Sequence, residues 1–188
     1  MQHLVESRAR AAVLVEGISD QRAVETLARR QSRDLDAEGI AVVPIGGAHA
    51  IGNCLRQLGP GGLDLRLAGL CDVGEEAHFR RALERAGLGT NLDRAGMEKL
   101  GFFVCVRDLE EELTRSLGTG SVEQLIQAQG ELAAFHTFQK QREKRELTRE
   151  QQLHGFMWNR KIRYAPLLVE ALDLAAVPRP LAGVLAYV

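Results

Sequence analysis

Four short apolar runs, Val13–Val15, Gly39–Ile45, Leu65–Cys71 and Gly101–Val106, are separated by stretches whose apolar residues recur at helical spacing. Apolar strands alternating with helices call for βα units, a mostly parallel sheet and helices over both of its faces. Right-handed crossovers then bring the C-terminal end of every strand to one edge. Three of the four runs finish in a carboxylate at or just beyond that edge, at Glu16, Asp72 and Asp108. Open α/β sheets bind their ligands along this edge, so the acids mark the first place to look for chemistry.

The first of these ends is the richest. Val13-Leu14-Val15-Glu16-Gly17-Ile18-Ser19-Asp20 runs from strand through a glycine turn into an amphipathic helix over Gln21–Arg30, which places Glu16 and Asp20 in one cleft. Carboxylates held close repel one another unless a proton or a cation lies between them. Hard oxygen ligands select Mg2+ or Mn2+. The plainer alternative is a solvated acid at the strand end and a second acid favoured by the positive end of a helix.

The remaining α/β elements follow in order. A helix is expected from about His49 to Leu58 and another over Glu75–Ala86, with a loop from Gly87 to Gly96. Beyond Gly120 the pattern is helical alone, which divides the chain into an α/β domain, residues 1–120, and a helical extension, 121–188. Helices are expected at Ser121–Gln129 and Glu131–Gln139. The segment Lys140–Gln152 mixes both charges at helical spacing and is read as a solvated helical face. Trp158 is expected to anchor this arm as an apolar residue in preference to serving as a base-stacking platform. The last helix opens near Asn159 with Arg160, Lys161 and Arg163, the wrong sign for a helix N-terminus, and so asks for an anionic partner. Its apolar positions include Ile162, Leu167, Leu168 and Leu172.

A formal charge of -1 argues against a generally basic nucleic-acid coat but permits a local basic patch. Cys54, Cys71 and Cys105 have no zinc spacing, and an odd count suits a reducing, cytoplasmic setting. Cys71 and Cys105 are read as buried strand residues. The polar start Met1-Gln2-His3 has no signal-peptide pattern, and no run reaches the length of a membrane span. His49 is read as a loop or cap histidine near the edge; His3, His78, His136 and His154 show no ligand spacing and are assigned no role.

In these residues the chain resembles the TOPRIM fold shared by topoisomerases, bacterial primases and a set of nucleases. The closer resemblance is to the TOPRIM part of OLD-family (overcoming lysogenisation defect) nucleases. Glu16-Gly17-Ile18-Ser19-Asp20 matches their Glu-Gly-x-x-(Glu or Asp), Asp108-Leu109-Glu110 matches their Asp-Leu-Glu, and Lys161 is the candidate for their late basic residue. The family's Asp-x-Asp reads Asp72-Val73-Gly74 here, so one acid is missing unless Glu75 or Glu76 replaces it.

The resemblance implies a TOPRIM-like nuclease that hydrolyses or nicks DNA through two divalent ions, Mg2+ or Mn2+, about 3.5–4 Å apart. Glu16 and Asp72 would hold one, and Asp20, Asp108 and Glu110 the other. Asp108 and Glu110 share a side only if the chain is extended there. Lys161 would offset phosphate charge. Related nucleases carry an ATPase domain before the TOPRIM part; with no P-loop motif here, ATP-driven motion would need a separate partner. Pairing as a homodimer is left open.

Three other readings stay open: a catalytically weak or inactive module that binds nucleic acid or a partner, a nucleotide or phosphoester hydrolase, and a phosphoryl-accepting receiver domain using Asp72 and Lys161.

Overall fold

The structure, a computed structural model, describes residues 9–188; the readings made for Met1-Gln2-His3 lie outside them. Four strands, β1 (Ala11–Val15), β2 (Ile40–Pro44), β3 (Arg66–Asp72) and β4 (Phe102–Cys105), form one sheet in the order β2-β1-β3-β4. Every pairing is parallel. The four expected strands are therefore present, each within two residues of its expected limits.

Alternation along the strands divides the interior into two layers. Val13 and Val15 face one side with Ala68, Leu70 and Cys105, while Ala12 and Leu14 face the other with Leu67, Cys71, Phe102 and Val104. Over the second side lie α2 (Ile51–Leu58), α3 (Glu76–Arg85) and a short α4 (Arg94–Lys99), which contribute Leu55, Phe79, Leu83 and Met97. α4 falls partly within the expected loop of residues 87–96. Asp93 caps it, accepting from the Gly96 N–H at 2.7 Å.

The first side carries α1 (Ile18–Arg30) and the later helices α5 (Leu109–Leu117), α6 (Thr119–Ala128), α7 (Leu132–Gln139), α8 (Arg149–Met157), α9 (Lys161–Ala171) and α10 (Arg179–Tyr187). Residues before and after position 120 share this one apolar cluster. α9 packs most extensively on α1. Two arginines near the end of α1 fix the arrangement by satisfying exposed helix-end carbonyls. Arg30 donates to Val169 and Leu172 at 2.8 and 2.6 Å, and Arg33 donates to Leu185 at 2.6 Å.

Three expectations for the arm are corrected. Lys140–Gln152 is solvated as expected but is not one helix: a 3-10 turn at Arg142–Lys144 separates it from α8, which starts where Thr148 and Gln151 form a capping box. Trp158 does not anchor the arm, since it is 56% exposed; Phe135, Phe156 and Tyr164 fill the core instead. Ile162, expected on an apolar face, is also exposed. No described helix is long and apolar enough to cross a membrane.

One strand position is especially confined. A Cβ on Gly69 would lie 2.5 Å from the Phe102 ring, which covers β3 from the neighbouring strand. Gly69→Val should therefore destabilise the protein by about 1–3 kcal/mol, as overpacked cores do. A urea melt checks this; an unchanged midpoint would contradict the packing described.

Candidate metal centre

The sheet order reverses at β1, because the crossover after β1 leads to one side and the chain then returns to β3 on the other. The crevice at such a reversal lies between the C-terminal ends of β1 and β3. Glu16 and Asp72 stand there, and the Glu16 carboxylate accepts the Asp72 backbone N–H at 2.8 Å. Asp20, in the first turn of α1, accepts the Gly17 N–H at 3.0 Å, so the turn after β1 is held by its own acid.

The fourth strand brings the second group. Asp108 is the N-cap of α5, its Oδ1 accepting the Glu111 N–H at 2.8 Å. Glu110 is thus helical, so the extended chain that would put Asp108 and Glu110 on one side is absent. Both acids still converge, because Lys161 reaches between them: its Nζ lies 3.0 Å from Glu110 and 3.6 Å from Asp108. Of the three glutamates that follow Asp108, only Glu110 joins the centre. Glu112 instead accepts the Val106 N–H at 2.8 Å and pairs with Arg115, bracing the loop after β4.

The two groups differ electrostatically. Asp108 lies below the usual carboxylate range; burial pushes it up, but the bond from His154, the Glu111 N–H and the Lys161 charge outweigh it. Asp20 and Asp72 are pushed up to about 7 and about 8, in each case first by burial. Repulsion from Glu110 and Glu16 adds to the shift of Asp20, and repulsion from Glu16, Asp20 and Asp108 to that of Asp72. Glu16 is raised as well, by burial and by the nearby Glu75. Lys161 therefore contacts Asp108 and Glu110, and its weaker attraction for Glu16, Asp20 and Asp72 does not offset the burial that raises those three acids.

Sequence reasoning missed His154. From α8 its Nε2 meets Asp108 Oδ2 at 2.5 Å, and its ring is nearly buried. The partner lies 46 positions away, so no local spacing could reveal the pair. Of the candidate substitutes for the absent acid at Gly74, Glu75 lies near enough to act on Glu16, whereas Glu76 is held by Arg94 at 2.5 Å. His49 lies against His78, ring centroids 4.6 Å apart, beyond the end of β2.

The donor chemistry suits a hard divalent cation, since all the free ligands are carboxylate oxygens. Glu110 Oε1 is buried without a hydrogen-bond partner, an unmet demand that an ion can answer. Among the described residues, no three His, Cys, Asp or Glu side chains are already drawn tightly enough to close around an ion. Binding would have to pull Glu16, Asp20 and Asp72 together.

A parallel four-stranded sheet with acids at this reversal is the arrangement the motif resemblance implies, and the comparisons agree with it in fold. Residues 9–73 match the family model for the overcoming lysogenization defect protein-like TOPRIM domain. The fold is that of the C-terminal region of OLD proteins. The Burkholderia pseudomallei structure aligns with TM-score 0.73 and 22% identity, covering 95% of this chain and 96% of that one. The Xanthomonas campestris pv. campestris structure, phased with platinum, aligns with TM-score 0.73 and 23% identity, covering 95% and 91%. No curated protein sequence matches the chain. The resemblance read from the motifs is borne out by the match of residues 9–73 to that TOPRIM family model and by the shared fold.

Proposed function

We propose that this centre is the active site of a divalent-metal-dependent nuclease that hydrolyses phosphodiester bonds in DNA. The observation that carries the reading is the cluster of Glu16, Asp20 and Asp72 at the reversal of the sheet, with two of the three acids held near neutral pH by burial and mutual repulsion. A family match of the TOPRIM type supports a metal-dependent nuclease class. Glu16, Asp20 and Asp72 would hold one Mg2+ or Mn2+. When bound, such an ion supplies Lewis-acid polarisation of a phosphoryl oxygen and a more acidic water.

The chain's own residues supply the rest. Asp108 orients Lys161 and is itself oriented by His154, so the ammonium is preorganised at the edge where a phosphate would lie. Lys161 is stabilised in its charged form: burial opposes it, but Glu110, Asp108 and Asp72 outweigh that cost. A second ion between Asp108 and Glu110 would have to displace this ammonium.

The test is nicking of supercoiled plasmid with Mg2+ or Mn2+ added; absence of cleavage under either ion would overturn the reading. Calorimetric titration with Mn2+ adds a second check. The parent protein should take up one ion, and Lys161→Met, which frees Asp108 and Glu110, should take up two. Equal stoichiometry in both would contradict the place given to Lys161.

A further inference from the structure

We propose that the cleft beside Lys161 seats an unpaired base of a single-stranded nucleic acid, with Trp158 as its stacking surface; this rests on the nuclease reading above. The cleft has a volume of about 690 Å³, and Trp158, Arg22, Arg160, Lys161, Ile162 and Arg163 are among its lining residues. A space of this size holds a ligand of nucleotide dimensions.

Three observations converge on this occupant. Trp158 lies in the 3-10 turn Trp158–Arg160 that joins α8 to α9, and more than half of its surface faces solvent although the neighbouring Phe156 and Met157 are buried. The lining contains four cations and no carboxylate. Glu131 reaches two of them from outside the lining, pairing with Arg160 at 3.5 Å and Arg163 at 3.2 Å, and the Arg22 guanidinium donates to the Ile162 carbonyl at 3.3 Å. Finally, the cleft adjoins the carboxylate centre through Lys161, which lines the one and bonds the other. Lys161 Nζ lies 4.3 Å from the centroid of the Trp158 ring while bonding Glu110, and the His154 ring that meets Asp108 is 5.7 Å from Trp158.

An aromatic face ringed by cations matches a polyanion that carries flat bases. Duplex bases are stacked on their neighbours, so only an unpaired or extruded base can offer its face to Trp158. Arg160 and Arg163 share the single carboxylate of Glu131, which leaves guanidinium donors for the flanking phosphates.

Trp158 is the only tryptophan of the chain, so its emission reports on this cleft alone. The experiment titrates the protein with a labelled oligothymidine and with a blunt hairpin duplex, Ca2+ present and strand integrity checked on a gel. Tryptophan emission and label anisotropy are followed together. The single strand should quench Trp158 as it binds, and the duplex should not. Trp158→Ala should weaken single-strand binding by about fivefold or more, and Trp158→Phe should restore most of it. Binding of the single strand with unchanged emission, equal affinity in Trp158→Ala, or no binding at all would overturn the proposal. A protein that nicks plasmid with Mn2+ yet fails these tests keeps the proposed activity and loses this site; failure of both experiments removes both.

Discussion

Asp72→Asn is expected to reduce Mn2+-dependent nicking of supercoiled plasmid on the order of a thousandfold, since the ion's stabilisation of transition-state charge is worth several kcal/mol. The substitution keeps the shape of the side chain and leaves the bond to Glu16 intact, because that bond uses the Asp72 backbone N–H. It also removes an acid whose ionisation the folded state resists. Asp72→Asn should therefore melt no lower than the parent at pH 8 while being inactive. Glu16→Gln should lose activity similarly. Nicking equal to that of the parent in either variant would remove these carboxylates from the chemistry.

Stability of the metal-free protein should fall as the pH is raised from about 4 to about 8, with Tm dropping on the order of 10 °C. The sign follows from linkage. Asp20 and Asp72 titrate near 3.8 when unfolded but near 7 and 8 when folded, so within that window the native state binds more protons than the unfolded chain. Each unit of pH gained there costs stability, and the loss levels off above about 8. Asp108 acts in the opposite sense, because its depressed value lends stability that disappears only as the pH falls through it. Saturating Mn2+ should recover most of the loss at pH 8 and little at pH 5, where protons already neutralise the cluster. Thermal melts across this range, with and without Mn2+, decide the matter. A flat metal-free profile would mean that these acids are well solvated.

The strands were legible because their signal is local: β-branched apolar runs closed by glycine or an acid need no knowledge of the rest of the chain. Glu16 and Asp72 were legible for a related reason, since a parallel sheet carries every strand end to one edge whatever the helices do. Glu110 joined the centre by a route the sequence did not suggest. Asp108 caps a helix and Lys161 gathers both acids, although the acids in the first turn, Glu110–Glu112, were themselves a helix-start signal. His154 and the exposure of Trp158 were not legible. Both depend on how α8 and α9 lie against α5, which tertiary packing decides and periodicity does not.

The short α4 and the break near residue 145 have a common cause. Six residues carry too little periodicity to register, and Arg142–Lys144 lies in a stretch whose charges suit a helix while Thr148 starts a new one. Capping residues, more than composition, marked these boundaries.

A crystal soaked in Mn2+ and measured at the manganese absorption edge tests the carboxylate centre most directly. An anomalous peak bounded by the side chains of Glu16, Asp20 and Asp72 is the expected result. No peak there at saturating Mn2+, or a peak only at some other place on the surface, would contradict it.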